Sequence, residues 1–249
     1  MILHYSGPMP ASRPKKPGDP LHPRATGPLR SFGRIKSRVI KPLQAALFDS
    51  LLPSIAVPDP TLGPIDPLLL MPGAKEAWLE IGFGGGEHLA AQAARHPDAV
   101  IIGCEPFLNS VASLLRHVDE GGLKNVRIHA DDARAVVQAL PDGSLDRIMI
   151  LVPDPWHKAR HNKRRLIQPA FAAELARKLK PGGRLRFVTD WKDYAGWALE
   201  RFLDTPGLVW LADEASDWRV APEDHVVTRY EEKRLGDTDP LFLEFQKVG

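Results

Sequence analysis

From residue 74 onward the chain alternates between two hydrophobic rhythms. Short, nearly continuous apolar runs at 77–81, 100–104, 126–129, 145–152 and 184–189 predict strands covered on both faces. Between them, apolar residues recur at helical spacing over 87–95, 110–118, 133–140, 169–180 and 191–203. Gly121-Gly122 and Pro181-Gly182-Gly183 punctuate the ends of two of these helices. Two weaker strand patterns follow, near 208–212 and 241–247. Strands alternating with helices predict an α/β fold with a mostly parallel sheet and helices on both faces. In such sheets ligands bind beyond the carboxyl ends of the strands, which directs attention to the residues there.

The front of the chain has a different pattern. Prolines recur every few residues over 1–28 and predict an extended basic arm, because each removes a backbone donor and fixes φ. The stretch 39–48 suits a short helix with Pro42 near its start. Residues 53–73 are again proline-rich and are expected to be connection. Three regions follow: an arm over 1–28, an extension and linker over 29–73, and a main domain over 74–249.

Composition changes this picture in two ways. The formal net charge of +2 conceals an asymmetry, with +8 in residues 1–48 and −6 in the remainder. One cysteine, Cys104, excludes an internal disulfide and a multi-cysteine zinc site. No apolar run approaches the ~20 residues of a membrane span, and no secretory signal is expected. The expectation is a soluble cytoplasmic protein without membrane or metal partners.

Candidate chemistry sits at the strand ends. Glu80-Ile81-Gly82-Phe83-Gly84-Gly85-Gly86 closes the first strand, and glycines 82, 84 and 86 permit a tight turn that lets a ligand approach the backbone. Glu105, 23 residues after Gly82, ends the second strand, where a carboxylate can accept both hydroxyls of a ribose. The spacing departs from the dinucleotide fingerprint, because the third glycine falls one residue early. Glu80 would repel a pyrophosphate but would attract the cationic groups of S-adenosylmethionine. Asp131-Asp132 ends the third strand, where an adenine amino group could be read.

Val152-Pro153-Asp154-Pro155-Trp156 follows the fourth strand, where a methyl acceptor belongs. The prolines restrain Asp154, and Trp156 either offers a stacking face or seals the core. The next segment, His157-Lys158-Ala159-Arg160-His161-Asn162-Lys163-Arg164-Arg165, has five fixed cations and no acid, which suits phosphate contact. His157 and His161 are four apart, but the neighbouring cations oppose a metal site.

These motifs, with Gly103-Cys104-Glu105, Thr189-Asp190-Trp191, Arg30-Ser31-Phe32-Gly33-Arg34 and Thr228-Arg229-Tyr230-Glu231, resemble the bacterial tRNA (guanine-N(7)-)-methyltransferases over roughly residues 29–247. The resemblance implies a Rossmann-like class I methyltransferase with a seven-stranded, mostly parallel sheet. It implies S-adenosylmethionine as cofactor, held by Glu80, Gly82, Gly84, Gly86, Glu105, Asp132 and Asp154, and tRNA as partner. Asp154 would lie between cofactor and acceptor as the catalytic group. Lys158, Asp190, Thr228 and Glu231 would hold the guanosine, and Lys158, Arg160, His161, Asn162, Lys163, Arg164 and Arg165 would contact RNA. The family acts on guanine 46 of the tRNA variable loop. Val152 stands where an aromatic residue is usual, Tyr230 where Phe is commoner, and Cys104 at a usually aliphatic site. The expected assembly is a monomer or a homodimer.

Guanine N(7) carries a lone pair and no proton, so its methylation needs no general base. Two rival expectations stand beside this one. The loop also resembles those of enzymes that methylate exocyclic amines of nucleobases, where a base N–H must be held. A non-catalytic RNA-binding module on the same fold is the other, which Glu80, Glu105 and Asp154 oppose. A nicotinamide dehydrogenase is disfavoured by Glu80 and by the glycine spacing.

Overall fold

The computed structural model describes residues 39–249. The arm expected over 1–28 and the Arg30-Ser31-Phe32-Gly33-Arg34 motif lie outside the described residues. Seven strands form one sheet: β1 (Glu76–Ile81), β2 (Ala99–Cys104), β3 (Val126–His129), β4 (Leu145–Leu151), β5 (Leu179–Thr189), β6 (Leu208–Trp210) and β7 (Leu241–Lys247). Their order is β3-β2-β1-β4-β5-β7-β6. Strands β1 to β5 are parallel, and β7 runs antiparallel between β5 and β6. Strand order reverses between β1 and β4, so a crevice opens beyond their carboxyl ends.

Successive strand residues point to opposite faces, and here both faces are covered. Leu79, Ile102, Ile150 and Phe187 pack under helices α5 (Ala133–Ala139), α6 (Pro169–Lys178) and α7 (Lys192–Leu203). Trp78, Ile101, Ile128 and Met149 pack under α1 (Pro42–Ser50), α3 (Glu87–Arg95) and α4 (Leu108–Gly121). Double coverage explains the continuous apolar runs. On this second face, the part of the sheet over β4, β5 and β7 carries charge instead. Arg147 and Arg186 there both bind the Asp224 carboxylate, and Arg186 also binds Glu244.

Two expectations are corrected. Residues 53–73 are not bare connection. Helix α2 (Leu52–Ile55) and a 3-10 turn (Pro67–Leu70) lie in or beside this segment, and Ile55, Val57 and Ile65 are buried. Val57 N–H donates to Ile128 C=O at 2.9 Å and so covers the β3 edge, and Ile65 N–H donates to Ala139 C=O, at the end of α5, at 2.9 Å. Prolines suit a covering strap, because it needs few donors of its own. The helix expected over 169–180 ends at Lys178, since Leu179 already pairs with Leu145 in β5. Pro181-Gly182-Gly183 then forms an excursion within the strand. A Cβ on Gly183 would lie only 2.9 Å from Lys180 C=O and 3.1 Å from Leu145 C=O.

Candidate active site

The turn after β1 brings the cofactor-type residues together. Gly82, Gly84 and Gly86 have φ of 73°, 53° and 81°. At Gly86 a side chain is excluded twice, because a Cβ would also lie 2.8 Å from Leu114 Cβ and 3.0 Å from its Cα. Gly84 N–H donates to Glu105 Oε2 at 3.0 Å, and Phe107 N–H donates to Glu105 Oε1 at 2.9 Å. Each Glu105 oxygen therefore keeps an acceptor position, enough for two hydroxyls of one sugar. Burial raises the Glu105 pKa to about 7, opposed by the Phe107 and Gly84 amides and assisted by the nearby Asp154 charge.

Glu80 has no solvent exposure. Its Oε2 lies 2.8 Å from His88 Nδ1, and its Oε1 has no hydrogen-bond partner among the described residues. A buried carboxylate with one open oxygen beside a glycine turn fits the cationic end of S-adenosylmethionine. Asp132 is more occupied. It caps α5 by accepting from Arg134 N–H at 3.0 Å and takes Arg134 Nε and Nη2 at 2.9 and 2.7 Å. Burial works to raise its pKa, but the hydrogen bonds and charge of Arg134 prevail and lower it.

The Asp154 loop is strained at both ends. Val152 and Trp156 have φ of 48° and 42°, a left-handed conformation that costs a non-glycine residue about 1–3 kcal/mol. For a β-branched valine the conformation is rare. Val152 N–H donates to Val188 C=O at 2.8 Å, which ties the loop to the end of β5. Asp154 reaches solvent, yet the surrounding protein removes enough water to raise its pKa. His157 stacks on Trp191 at 5.4 Å, and Arg164 lies over the Trp156 ring at 5.0 Å.

The basic segment folds as a 3-10 turn (Ala159–Arg164) with Lys158 at its start. Lys158, Arg160 and Lys163 are exposed, and His161, Asn162 and Arg164 are partly covered. Arg165 corrects the expectation of an RNA contact, because only 2% of it is exposed. It donates to Pro155 C=O at 2.9 Å, pairs with Asp193, and lies about 5 Å from the Tyr194 and Trp197 rings. The last cation of the run thus fastens the Asp154 loop to α7. Arg165→Ala is expected to destabilise the fold by about 3 kcal/mol, whereas Arg160→Ala should stay within about 0.5 kcal/mol, as read by urea unfolding.

Asp190 is buried at the end of β5, and Gly236 packs directly on it. Asp237 and Thr238 N–H donate to Asp190 C=O at 3.0 and 3.1 Å. Thr228 and Glu231 form a capping box at helix α8 (Arg229–Glu232). The Glu231 carboxylate accepts from Thr228 N–H and Oγ1 and lies 2.7 Å from His225 Nε2. Burial pushes its pKa up, but the hydrogen bonds and charge of His225, with the Thr228 donors, outweigh that and lower it. This segment reaches the glycine turn. A Cβ on Gly84 would lie 2.7 Å from Tyr230 Cε2, and Arg229 binds both Glu87 and Ser113.

Sequence reasoning missed His88, Gln92, Asp224 and His225. His88 and Gln92 are one helical turn apart behind the glycine loop, a polar pair on an otherwise apolar face that could have drawn notice. Asp224 and His225 lie more than 130 residues from Gln92 and carried no local signal.

Residues 74–242 match the family model described as "Putative methyltransferase". The tRNA (guanine-N(7)-)-methyltransferase of Caulobacter vibrioides strain NA1000 is 64% identical over 89% of this chain and 96% of its own length. The enzymes of the same name from Caulobacter sp. strain K31 and Hyphomonas neptunium are 62% and 49% identical, over 91% and 88% of this chain and 99% of their own lengths. Family model and full-length relatives agree with the motifs at the strand ends: the chain belongs to the tRNA (guanine-N(7)-)-methyltransferase family.

Proposed function

We propose that this chain methylates guanine N(7) at position 46 of the tRNA variable loop, in the cytoplasm. The observation that carries the proposal is the meeting of two sites at one sheet edge. Glu80 and Glu105 form an acidic seat, and the Asp154 loop leads from it into exposed cations at Lys158, Arg160 and Lys163. Bound S-adenosylmethionine supplies an electrophilic methyl group on a cationic sulfonium. Glu80 offers its open oxygen to that cofactor's positive end, and Glu105 takes the ribose hydroxyls. Because guanine N(7) carries no proton, the chain's task is to hold the base in line and to stabilise the positive charge it gains. Asp154, just beyond the carboxyl end of β4, takes that role, and Lys158 and Asp190 hold the guanosine. Thr228 and Glu231 hold each other, so their part is to shape the wall of the guanosine site.

Transfer of a labelled methyl group to tRNA lacking its own modification, followed by nucleoside analysis, tests this. The expected product is 7-methylguanosine; a methylated exocyclic amine or no label would overturn the proposal. The Glu105 assignment has its own signature. Hydroxyls need the carboxylate, and its pKa near 7 leaves much of it protonated at neutral pH. Cofactor affinity is therefore expected to rise with pH up to about 7, level off above it, and release protons on binding. Calorimetry in buffers of different ionisation heat measures that release. Charge removal at Arg160 and Lys163 is expected to reduce the salt slope of tRNA binding by about 1 for each phosphate no longer neutralised.

A further inference from the structure

We infer that Gln92 is a positioning residue which, through His88, leaves the Glu80 carboxylate without a counter-cation and with one oxygen open to the cofactor. The inference rests on the cofactor seat proposed above. Its contacts form a chain with no exposure at Glu80, His88 or Gln92. His88 Nδ1 lies 2.8 Å from Glu80 Oε2, and His88 Nε2 lies 3.2 Å from Gln92 Nε2. Gln92 Nε2 also donates to Asp224 C=O at 2.7 Å.

One atom sets every proton in the chain. A main-chain carbonyl only accepts, so the end of the Gln92 amide that faces Asp224 is its NH2 group. The second amide hydrogen then points at His88 Nε2, which accepts and so bears no hydrogen. The ring proton is left on Nδ1 and is donated to Glu80 Oε2. Turning the amide over would set oxygen against oxygen at Asp224. The carbonyl is itself held firmly. It also accepts from Arg95 at 2.8 Å, and the Asp224 carboxylate binds Arg147 and Arg186 at 2.9 and 2.7 Å. The neighbouring ring, His225 at 5.8 Å, directs its Nε2 to Glu231.

His88 is therefore a neutral imidazole. An imidazolium in its place would cancel the Glu80 charge that the cationic cofactor needs. The Gln92 amide blocks that, because it already fills the nitrogen where a second proton would go. The segment that carries Thr228 and Glu231 supplies the fixed carbonyl, so its placement also sets the charge of the cofactor seat.

The test uses the full chain. Nitrogen-15 histidine NMR of the wild type, with the His88 signals assigned by their loss in His88→Asn, is expected to show a neutral ring protonated at Nδ1. Calorimetry with S-adenosylmethionine is expected to show a loss of about tenfold or more in Gln92→Glu, where the ring takes a second proton to reach the new carboxylate. Gln92→Met removes the blocking N–H but offers no acceptor to a second proton, so it should also lose affinity, but clearly less than Gln92→Glu. A wild-type ring that is doubly protonated, or protonated at Nε2, overturns the inference. So do equal losses in the two Gln92 variants, which mark a merely structural role. If Gln92→Glu does not fold, the wild-type spectrum decides. Glu80→Gln separates the two levels. If it leaves cofactor affinity unchanged, the seat itself is wrong; if it lowers affinity while the Gln92 variants match each other, only the relay is wrong.

Discussion

Glu80→Gln is expected to weaken S-adenosylmethionine binding by roughly two to three orders of magnitude while leaving the cofactor-free fold at least as stable. The two effects have one cause. Glu80 is fully buried, His88 occupies one of its oxygens, and no fixed cation contacts it among the described residues. Without cofactor, that charge is costly to bury. With a cation at about 4 Å and an effective dielectric of about 20, it contributes about 4 kcal/mol, close to three decades of affinity. Glutamine preserves the shape and still accepts from His88, so it removes the charge and little else. Calorimetric titration reads the affinity and thermal unfolding reads the fold. An affinity within about threefold of wild type would remove Glu80 from the cofactor seat; a large drop in melting temperature would show that the carboxylate stabilises the apo chain after all.

The opposite signs of these effects bear on what the sequence discloses. A glutamate at the end of a double-covered strand breaks an apolar run, so it stands out in the hydrophobic pattern alone. The same holds for Glu105 and for the acid between two prolines at Asp154. Strands were legible because both faces of the sheet are buried, and bounds such as 126–129 and 241–247 coincide with β3 and β7. What escaped notice depends on distant pairing. Arg165 looks like its neighbours in a basic run, yet the Tyr194 and Trp197 rings bury it. The proline-rich 53–73 segment looks like linker, yet hydrogen bonds to Ile128 in β3 and Ala139 in α5 fasten it over the sheet edge. The Gln92–Asp224 contact joins residues 132 apart. Strain at Val152 was likewise invisible, since a β-branched residue is the last choice for a left-handed position.

That strain gives Asp154 its importance, because a loop held in a costly conformation places its one carboxylate in a fixed position. Asp154→Asn is expected to slow the single-turnover methyl-transfer step by roughly 30- to 150-fold at saturating tRNA and cofactor, equivalent to about 2–3 kcal/mol of lost charge stabilisation. The figure is below that for Glu80 because Asp154 reaches solvent, which screens its field. Asparagine keeps the size and an acceptor oxygen, so guanosine binding should change far less than the rate. Desolvation raises the Asp154 pKa above the ordinary carboxylate value. In the proposed role the anion is the active form. In the wild type the rate should therefore fall as pH drops through that raised pKa, and in Asp154→Asn the dependence should vanish. Rapid-quench measurements at several pH values separate the possibilities. An unchanged chemical step with weakened guanosine affinity would reduce Asp154 to a positioning group. A slowed step that keeps the wild-type pH profile would assign the titration to another group, and Glu105, whose pKa lies near 7 and whose charge is coupled to Asp154, is then the residue to replace.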